Sequence, residues 1–275
     1  MYAILGLISN TLSGLSVQEL SDEELDGTAE GEETAQDEKY TLVEGAKLLF
    51  SNKYYIMICG TYLLTQLCQS TLNMGVYFMK YVLGDEGLLS TFSLAMNIPL
   101  IAGLLVTPWL VRRMGGMYKI NIIGYAIGIV GRALVMVAGY MGSIPMMLLF
   151  TGVAALGTSP LQGDLNALIA SCSEYTFLTK GKRVDGTMYS CSSFGIKVGG
   201  SIGTALSGWM MSAAGFVEKA AVQSAGAIDM LYFLYLWAPI LLYALVTLVL
   251  SRMDVERANE RLMAAQTDGA ASPRI

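Results

Sequence analysis

Charge is what this sequence has least of. Asp, Glu, Lys and Arg supply 14% of its 275 residues, against about a quarter in a water-soluble domain. Histidine is absent altogether, which removes imidazole catalysis, His-metal ligation and His proton relays together. The four cysteines, Cys59, Cys68, Cys172 and Cys191, fall in or beside apolar runs with no CxxC pair. They read as small buried hydrophobes rather than disulfide or zinc positions. There is no HExxH, no thiol–base pair and no nucleotide loop, so a membrane enzyme is the least favoured class. No cofactor, resident metal or nucleic-acid partner is expected.

What fills the sequence instead is hydrocarbon. Hydrophobic residues make up 54% and mean hydropathy is +0.52, the profile of a polytopic protein whose solvent is the lipid bilayer. Apolar runs of about twenty residues, the length a bilayer core requires, occur at 54–79, 88–111, 120–141, 144–171, 187–213 and 230–251. The fold expected is an all-α membrane protein with a six-helix bundle over 53–252. Residues 1–17, MYAILGLISNTLSGLSV, are too short to span comfortably. No basic residue precedes Lys39, so this run is not a good signal peptide, and the end of a truncated helix is the reading preferred.

Residues 18–40 are acidic and nearly free of large apolar side chains. They hold Glu19, Asp22, Glu23, Glu24, Asp26, Glu30, Glu32, Glu33, Asp37 and Glu38, and such a segment reads as a flexible linker. Subtracting these ten from the 22 acidic residues leaves 12 against 17 basic ones, so the acidic total carries no information about a ligand. Thr41 and Glu44 then have capping-box spacing, and 41–52 reads as an interfacial helix. Basic residues alternate between sides: Lys39, Lys47 and Lys53 precede span one, Arg112, Arg113 and Lys119 follow span two, and Lys180, Lys182 and Arg183 follow span four. Arg252, Arg257 and Arg261 follow span six, while the opposite loops hold only Lys80 and Lys219. Positive loops stay in the cytoplasm; both chain ends, including the tail 253–275, are therefore expected there.

Polar groups inside the spans are the candidates for function, because lipid makes them expensive. Ser190, Ser193, Lys197, Ser201 and Thr204 share one face of span five, within about 40° at helical periodicity. Gly195, Gly199 and Gly203 form a small-residue seam on the other side. Lys197 lies roughly 15 Å in from the cytoplasmic end, deeper than a snorkelling lysine needs, and reads as cavity-facing. Asp164 in span four has about the same depth and is a candidate ion-pair partner, with Arg132 or local backbone as its alternatives. Tyr62, Gln66, Gln69, Asn73 and Tyr77 form a second stripe. Amides beside aromatic rings suit a sugar, with hydroxyls at its rim and apolar C–H faces, although interhelical hydrogen bonding is the competing reading. Asn97, Pro99, Trp237 and Pro239 read as kink and packing positions.

The run ALIASCSEYTFLTKGKRVDGTMYSCSSFGIKVGG resembles the glycoside–pentoside–hexuronide:cation symporters, the melibiose-permease-like branch of the major facilitator superfamily. Those proteins have an Ala-Asp-x-Val-Asp-Tyr stretch, a Gly-Lys-Arg loop, and a Ser-rich helix with an embedded lysine. The matching residues here are Glu174-Tyr175, Gly181-Lys182-Arg183, Ser190 to Ser193, and Lys197, with no gap between the acidic residue and the lysine. Two departures occur: Ser171 and Glu174 stand where the family has aspartates.

The resemblance implies the C-terminal half of a twelve-helix transporter of alternating-access type, in a bacterial cell membrane. A sugar or glycoside would be the substrate, Na+ or H+ the coupling cation, and an N-terminal six-helix half the missing partner. It places Lys197 between sugar and cation regions, and Gln162, Ser192, Ser193 and Ile196 toward the sugar. Glu174, Tyr175, Lys182 and Arg183, with Arg112 and Arg113, would belong to the cytoplasmic gating loops. A transport-incompetent fragment, or a half-transporter acting as a membrane interaction protein, stays open beside it. Topology is directly testable. A fluorescent protein fused after Ile275 is expected to fluoresce and a periplasmic phosphatase there to stay inactive; the reverse pattern would invert the assigned orientation.

Overall fold

The computed structural model describes residues 47, 49–181, 185–218, 220 and 222–270, and these are helical with no strand among them. The proposed stump and linker, most of the interfacial helix, Lys182 and Arg183 lie outside the described residues.

The elements are α1 (Lys53–Asn73), α2 (Gly75–Tyr81), α3 (Leu88–Met114), α4 (Met117–Tyr140), α5 (Ile144–Lys180), α6 (Asp185–Ala213), α7 (Ala225–Tyr232), a π-helical turn (Phe233–Trp237), α8 (Ala238–Leu250) and α9 (Val255–Ala270). Four stretches are long and apolar enough to cross a membrane: Leu88–Met114, Met117–Tyr140, Ile144–Lys180 and Ala225–Ala265. Helices α1 and α6 are not among them. The amides and hydroxyls of the first, and the glycines, serines and lysine of the second, lower their hydropathy below that of an all-apolar span.

Two boundaries differ from those expected. Helix α5 does not stop near residue 171 but runs on to Lys180, where Gly181 (φ 71) takes the left-handed turn that ends it. Residues 255–270 of the supposed tail form α9, which is docked on the bundle. The Glu256 carboxylate accepts hydrogen bonds from the backbone N–H of Met117 and Tyr118, placing an anion on the unsatisfied donors at the α4 N-terminus. Asn259 Nδ2 donates to the Ser171 carbonyl at 2.8 Å, and Tyr54 Oη donates to Asp254 Oδ1 at 3.0 Å.

Caps fix where α1 begins. Asn52 Oδ1 accepts from the Tyr54 and Tyr55 N–H groups, while its Nδ2 donates to Cys172 O and Thr176 Oγ1 of α5. One buried side chain thus starts α1 and ties it to α5. The ladder breaks at Met74, between α1 and α2. It widens again at Phe233–Trp237, where the Ala238 N–H reaches back to Phe233 O; Pro239 lacks the N–H that Tyr235 O would otherwise accept.

Helix α5 is central, packed against α4, α3 and α9, while α1 packs against α6 and α8. The α4–α5 crossing brings backbone onto backbone. A Cβ on Gly157 would lie 2.6 Å from the Gly128 nitrogen, and one on Gly131 would lie 2.7 Å from the Ala154 nitrogen. On α6, a Cβ at Gly199 would meet Leu63 and Gln66 at 3.2 Å, and Gly203 closes on Ser70 and Leu67, whereas Gly195 touches nothing. Close approach of small residues replaces the hydrophobic effect as the source of helix association in lipid.

The buried apolar side chains form two clusters. One joins Leu49, Tyr55, Ile58, Leu168 and Leu250 near the α1 start. The other joins Phe78, Met79, Val135, Met147 and Leu236 near the α4 end. Replacing Gly157 with leucine is expected to destabilise the bundle by at least about 1–3 kcal/mol, read as an earlier unfolding transition in denaturing detergent; unchanged stability would refute the backbone contact.

Candidate functional site

A polar layer of amides, hydroxyls and tyrosines borders the two apolar clusters from within the bundle. Its main cavity, of about 280 Å³, is lined by Tyr62, Gln66 and Gln69 of α1, Thr158 and Gln162 of α5, Ile196 of α6, and Tyr125 and Tyr243 of α4 and α8. It takes in much of the α1 stripe. Asn73 lies farther along, in a neighbouring cavity, where its Oδ1 accepts a long hydrogen bond from Gln69 Nε2 (3.4 Å). Tyr77 has left the stripe: beyond the break at Met74 its ring stands edge-on to Phe216, 5.1 Å between centroids.

Lys197 is exposed on α6 and lines an open groove with Gln66, Ile196, Ser201 and Thr204. Gln66 and Ile196 belong to both spaces, so the groove adjoins the main cavity. The α6 hydroxyls are less free than their spacing implies. Ser201 Oγ donates to Lys197 O (2.9 Å) and Ser193 Oγ to Tyr189 O (3.0 Å). Ser192 is buried and donates to Met188 O (2.8 Å), an interior position rather than a cavity-facing one.

The expected Lys197–Asp164 ion pair is not made; among the described residues the ion pair present is Lys80–Glu86. Asp164 is buried, one of its carboxylate oxygens lacks a partner, and the buried amide of Asn121 on α4 has neither atom hydrogen-bonded. The reason is angular rather than axial. Asp164 stands seven residues from Gly157, two near-complete turns, and so falls on the seam that closes against α4. Gln162, two residues away, points to the opposite side and lines the cavity. Neither does Arg132 pair with Asp164.

The loop candidates are peripheral. Arg112 and Arg113 are exposed, the latter over the Trp109 ring. Glu174 is half-buried, and Tyr175 packs edge-on to Tyr54, 4.9 Å between centroids.

The residue that spacing undervalued is Arg132. It is 3% exposed, and neither its Nε nor its Nη1 has a hydrogen-bond partner. It lines two cavities of about 240 Å³ that share Gln69 with the main one. The signal was present in the sequence: Arg132 is the one charged residue between Ile120 and Ser143, and a charge in such a run marks a functional position by default. Asn97, expected only at a kink, joins it there and donates to Ser93 O (2.8 Å).

The described residues form a helical bundle with an apolar skin and a polar interior, the build of a multi-pass membrane protein. The sequence matches the MFS/sugar transport protein family over residues 1–257, and the chain belongs to that family. It is 30% identical over 196 residues to an isoprimeverose transporter of Lactiplantibacillus pentosus, covering 71% of this chain and 40% of that protein. It is 25% identical over 231 residues to a putative glycoside/cation symporter of Escherichia coli, covering 82% and 49%. It is 28% identical over 213 residues to a putative 2,3-dihydroxypropane-1-sulfonate exporter of Salmonella typhimurium, covering 77% and 45%. The chain spans about half the length, or less, of these relatives. The resemblance to glycoside–pentoside–hexuronide symporters therefore holds, and the relatives are transporters rather than enzymes.

Exposure separates Lys197 from Asp164. In the detergent-solubilised chain, a cysteine at Lys197 is expected to react with a water-soluble maleimide at least about tenfold faster than one at Asp164. Equal labelling rates would contradict the opposed faces.

Proposed function

We propose that this chain forms the C-terminal half of a twelve-helix, cation-coupled sugar or glycoside transporter. The observation that carries the reading is the polar layer. Gln66, Gln69 and Gln162 line a cavity beside tyrosine rings, and this combination of amides and aromatic faces suits a solute with a hydroxyl rim and apolar C–H faces. The cavity adjoins an open groove along α6, the side on which a second bundle would complete the enclosure. Six membrane crossings fit this arrangement: α1–α2, α3, α4, α5, α6, and α7–α8.

The mechanism is alternating access. Two six-helix bundles rock about a midplane site, and entry of Na+ or H+ down its gradient drives uptake. Coupling requires that solute and cation favour the same rearrangement. Lys197, on the groove beside the cavity, would sense a charge arriving from the opposing half. Gln66 and Ile196 line both the cavity and the groove, so a solute in the cavity would lie within reach of the same region.

The partner would be a separate or contiguous N-terminal six-helix half. The relatives named as transporting isoprimeverose, as a glycoside/cation symporter and as a sulfonate exporter support a sugar-sized, hydroxylated solute. The test is uptake of a labelled glycoside into vesicles holding this chain together with such a half, under an imposed Na+ or proton gradient. Lys197→Met is expected to lower gradient-driven uptake at least about tenfold; uptake at the unsubstituted rate would overturn the coupling role.

A further inference from the structure

Arg132 is a buried cation that the polar layer surrounds without neutralising. It stands fifteen residues from the start of α4 and eight from its end, about 22 Å and 12 Å along the axis. Its guanidinium has five N–H donors in a fixed fork and accepts nothing. Two of its three nitrogens, Nε and Nη1, are buried without a partner. The cavities it lines bring up Gln69, Asn97, Thr158, Gln162 and Tyr243, and none of their lining residues is acidic. The buried carboxylate of Asp164 is turned to the α4 seam instead.

An unpaired charge in such a place is strongly unfavourable. A tolerated one marks a position whose counter-charge arrives from elsewhere. Oxyanions answer the geometry best, because two parallel N–H groups match two oxygens of one carboxylate or sulfonate. The neighbouring amides and hydroxyls are neutral donors and acceptors fit for hydroxyl groups. The backbone is also irregular at this spot. Gly75, at the break between α1 and α2, and Tyr235, within the π-helical turn, line the Arg132 cavity and touch one another, a Cβ on Gly75 lying 2.9 Å from the Tyr235 ring. In a membrane such departures from the helical ladder occur where backbone lines a cavity.

We infer that Arg132 is the anchor for an oxyanion on the transported solute, so that this transporter takes an acidic sugar, a uronate or a sulfonated polyol, rather than a neutral one. The inference rests on the sugar-transport reading above and narrows it to an anionic substrate class. Gln69, which lines the Arg132 cavities and the main cavity alike, would span the acidic group and the hydroxylated ring.

The test uses the whole chain purified in detergent together with an N-terminal six-helix half. Thermal unfolding is followed while methyl glucuronide, a sugar 6-sulfonate or methyl glucoside is titrated in, since a ligand of the native state raises its stability with concentration. The unsubstituted chain is expected to bind one of the two anionic solutes at least about tenfold more tightly than the glucoside. Arg132→Gln should reduce that preference to below about threefold, with an unliganded melting temperature no lower than before, since an unpaired buried charge has been removed. Should Arg132→Gln fail to fold, Arg132→Lys carries the test. It keeps the charge but not the fork, and its preference should fall several-fold; an undiminished one overturns the assignment. Binding of the glucoside without preference for either anion overturns the anionic class and leaves the sugar reading standing. Binding of none of the three overturns both.

Discussion

The contact on which this bundle depends is the meeting of α4 and α5 through glycine. Gly124, Gly128 and Gly131 face Ala154 and Gly157 so closely that a methyl group at Gly157 or Gly131 would overlap backbone. Lipid offers no hydrophobic reward for such an approach, so dispersion and shape hold it. Its geometric consequence reaches further than its energy. Once one face of each helix is committed to the seam, the faces about 100° away are committed to something else. Asp164 lies in line with Gly157 and is turned into the seam beside Asn121. Thr158 and Gln162 lie off it and are turned into the polar layer, as Arg132 is on α4.

That division explains why the two membrane charges of opposite sign do not neutralise each other. Lys197 and Asp164 share a depth, since α1 starts against Cys172 and Thr176 and runs parallel to α6 through Leu63–Gly199 and Leu67–Gly203. Depth is only one coordinate of a helix. The second, rotation about the axis, is set by the glycine seam, and it points the carboxylate away from the side on which the lysine stands. The interior is left with unpaired cationic potential from Arg132 and with neutral amides around it. A cavity of that character attracts negative charge.

Helices are legible in a membrane sequence because the bilayer imposes length and hydropathy together. The runs at 88–111 and 120–141 differ by only a few residues from α3 and α4. The stop of α5 was not legible, since its last two turns are polar and continue beyond any apolar run; the left-handed Gly181 was the available sign. The docking of α9 was hidden as well, because Glu256 and Asn259 act on backbone groups far away in sequence. Within the site, the α1 stripe was readable as periodicity and Lys197 as an isolated charge. The burial of Ser192 was not, because a hydroxyl that bonds its own helix carbonyl looks the same in sequence as one that faces a solute. Arg132 was readable as a lone cation among glycines and valines, but no polar neighbour at helical spacing marks the face it occupies.

The two backbone irregularities have a shared meaning once the polar layer is located. A helix broken at Met74 and another widened at Phe233–Trp237 are each less stiff there than a continuous ladder, and they meet through Gly75 and Tyr235. Both lie within the second apolar cluster, to which Leu234, Tyr235 and Leu236 of the turn and Phe78 beyond the break contribute buried side chains. The side chain proposed to bind charge and the two irregular stretches of backbone therefore line the same cavity. A ligand drawn to the guanidinium would sit against both irregular stretches, with no long chain of contacts between them.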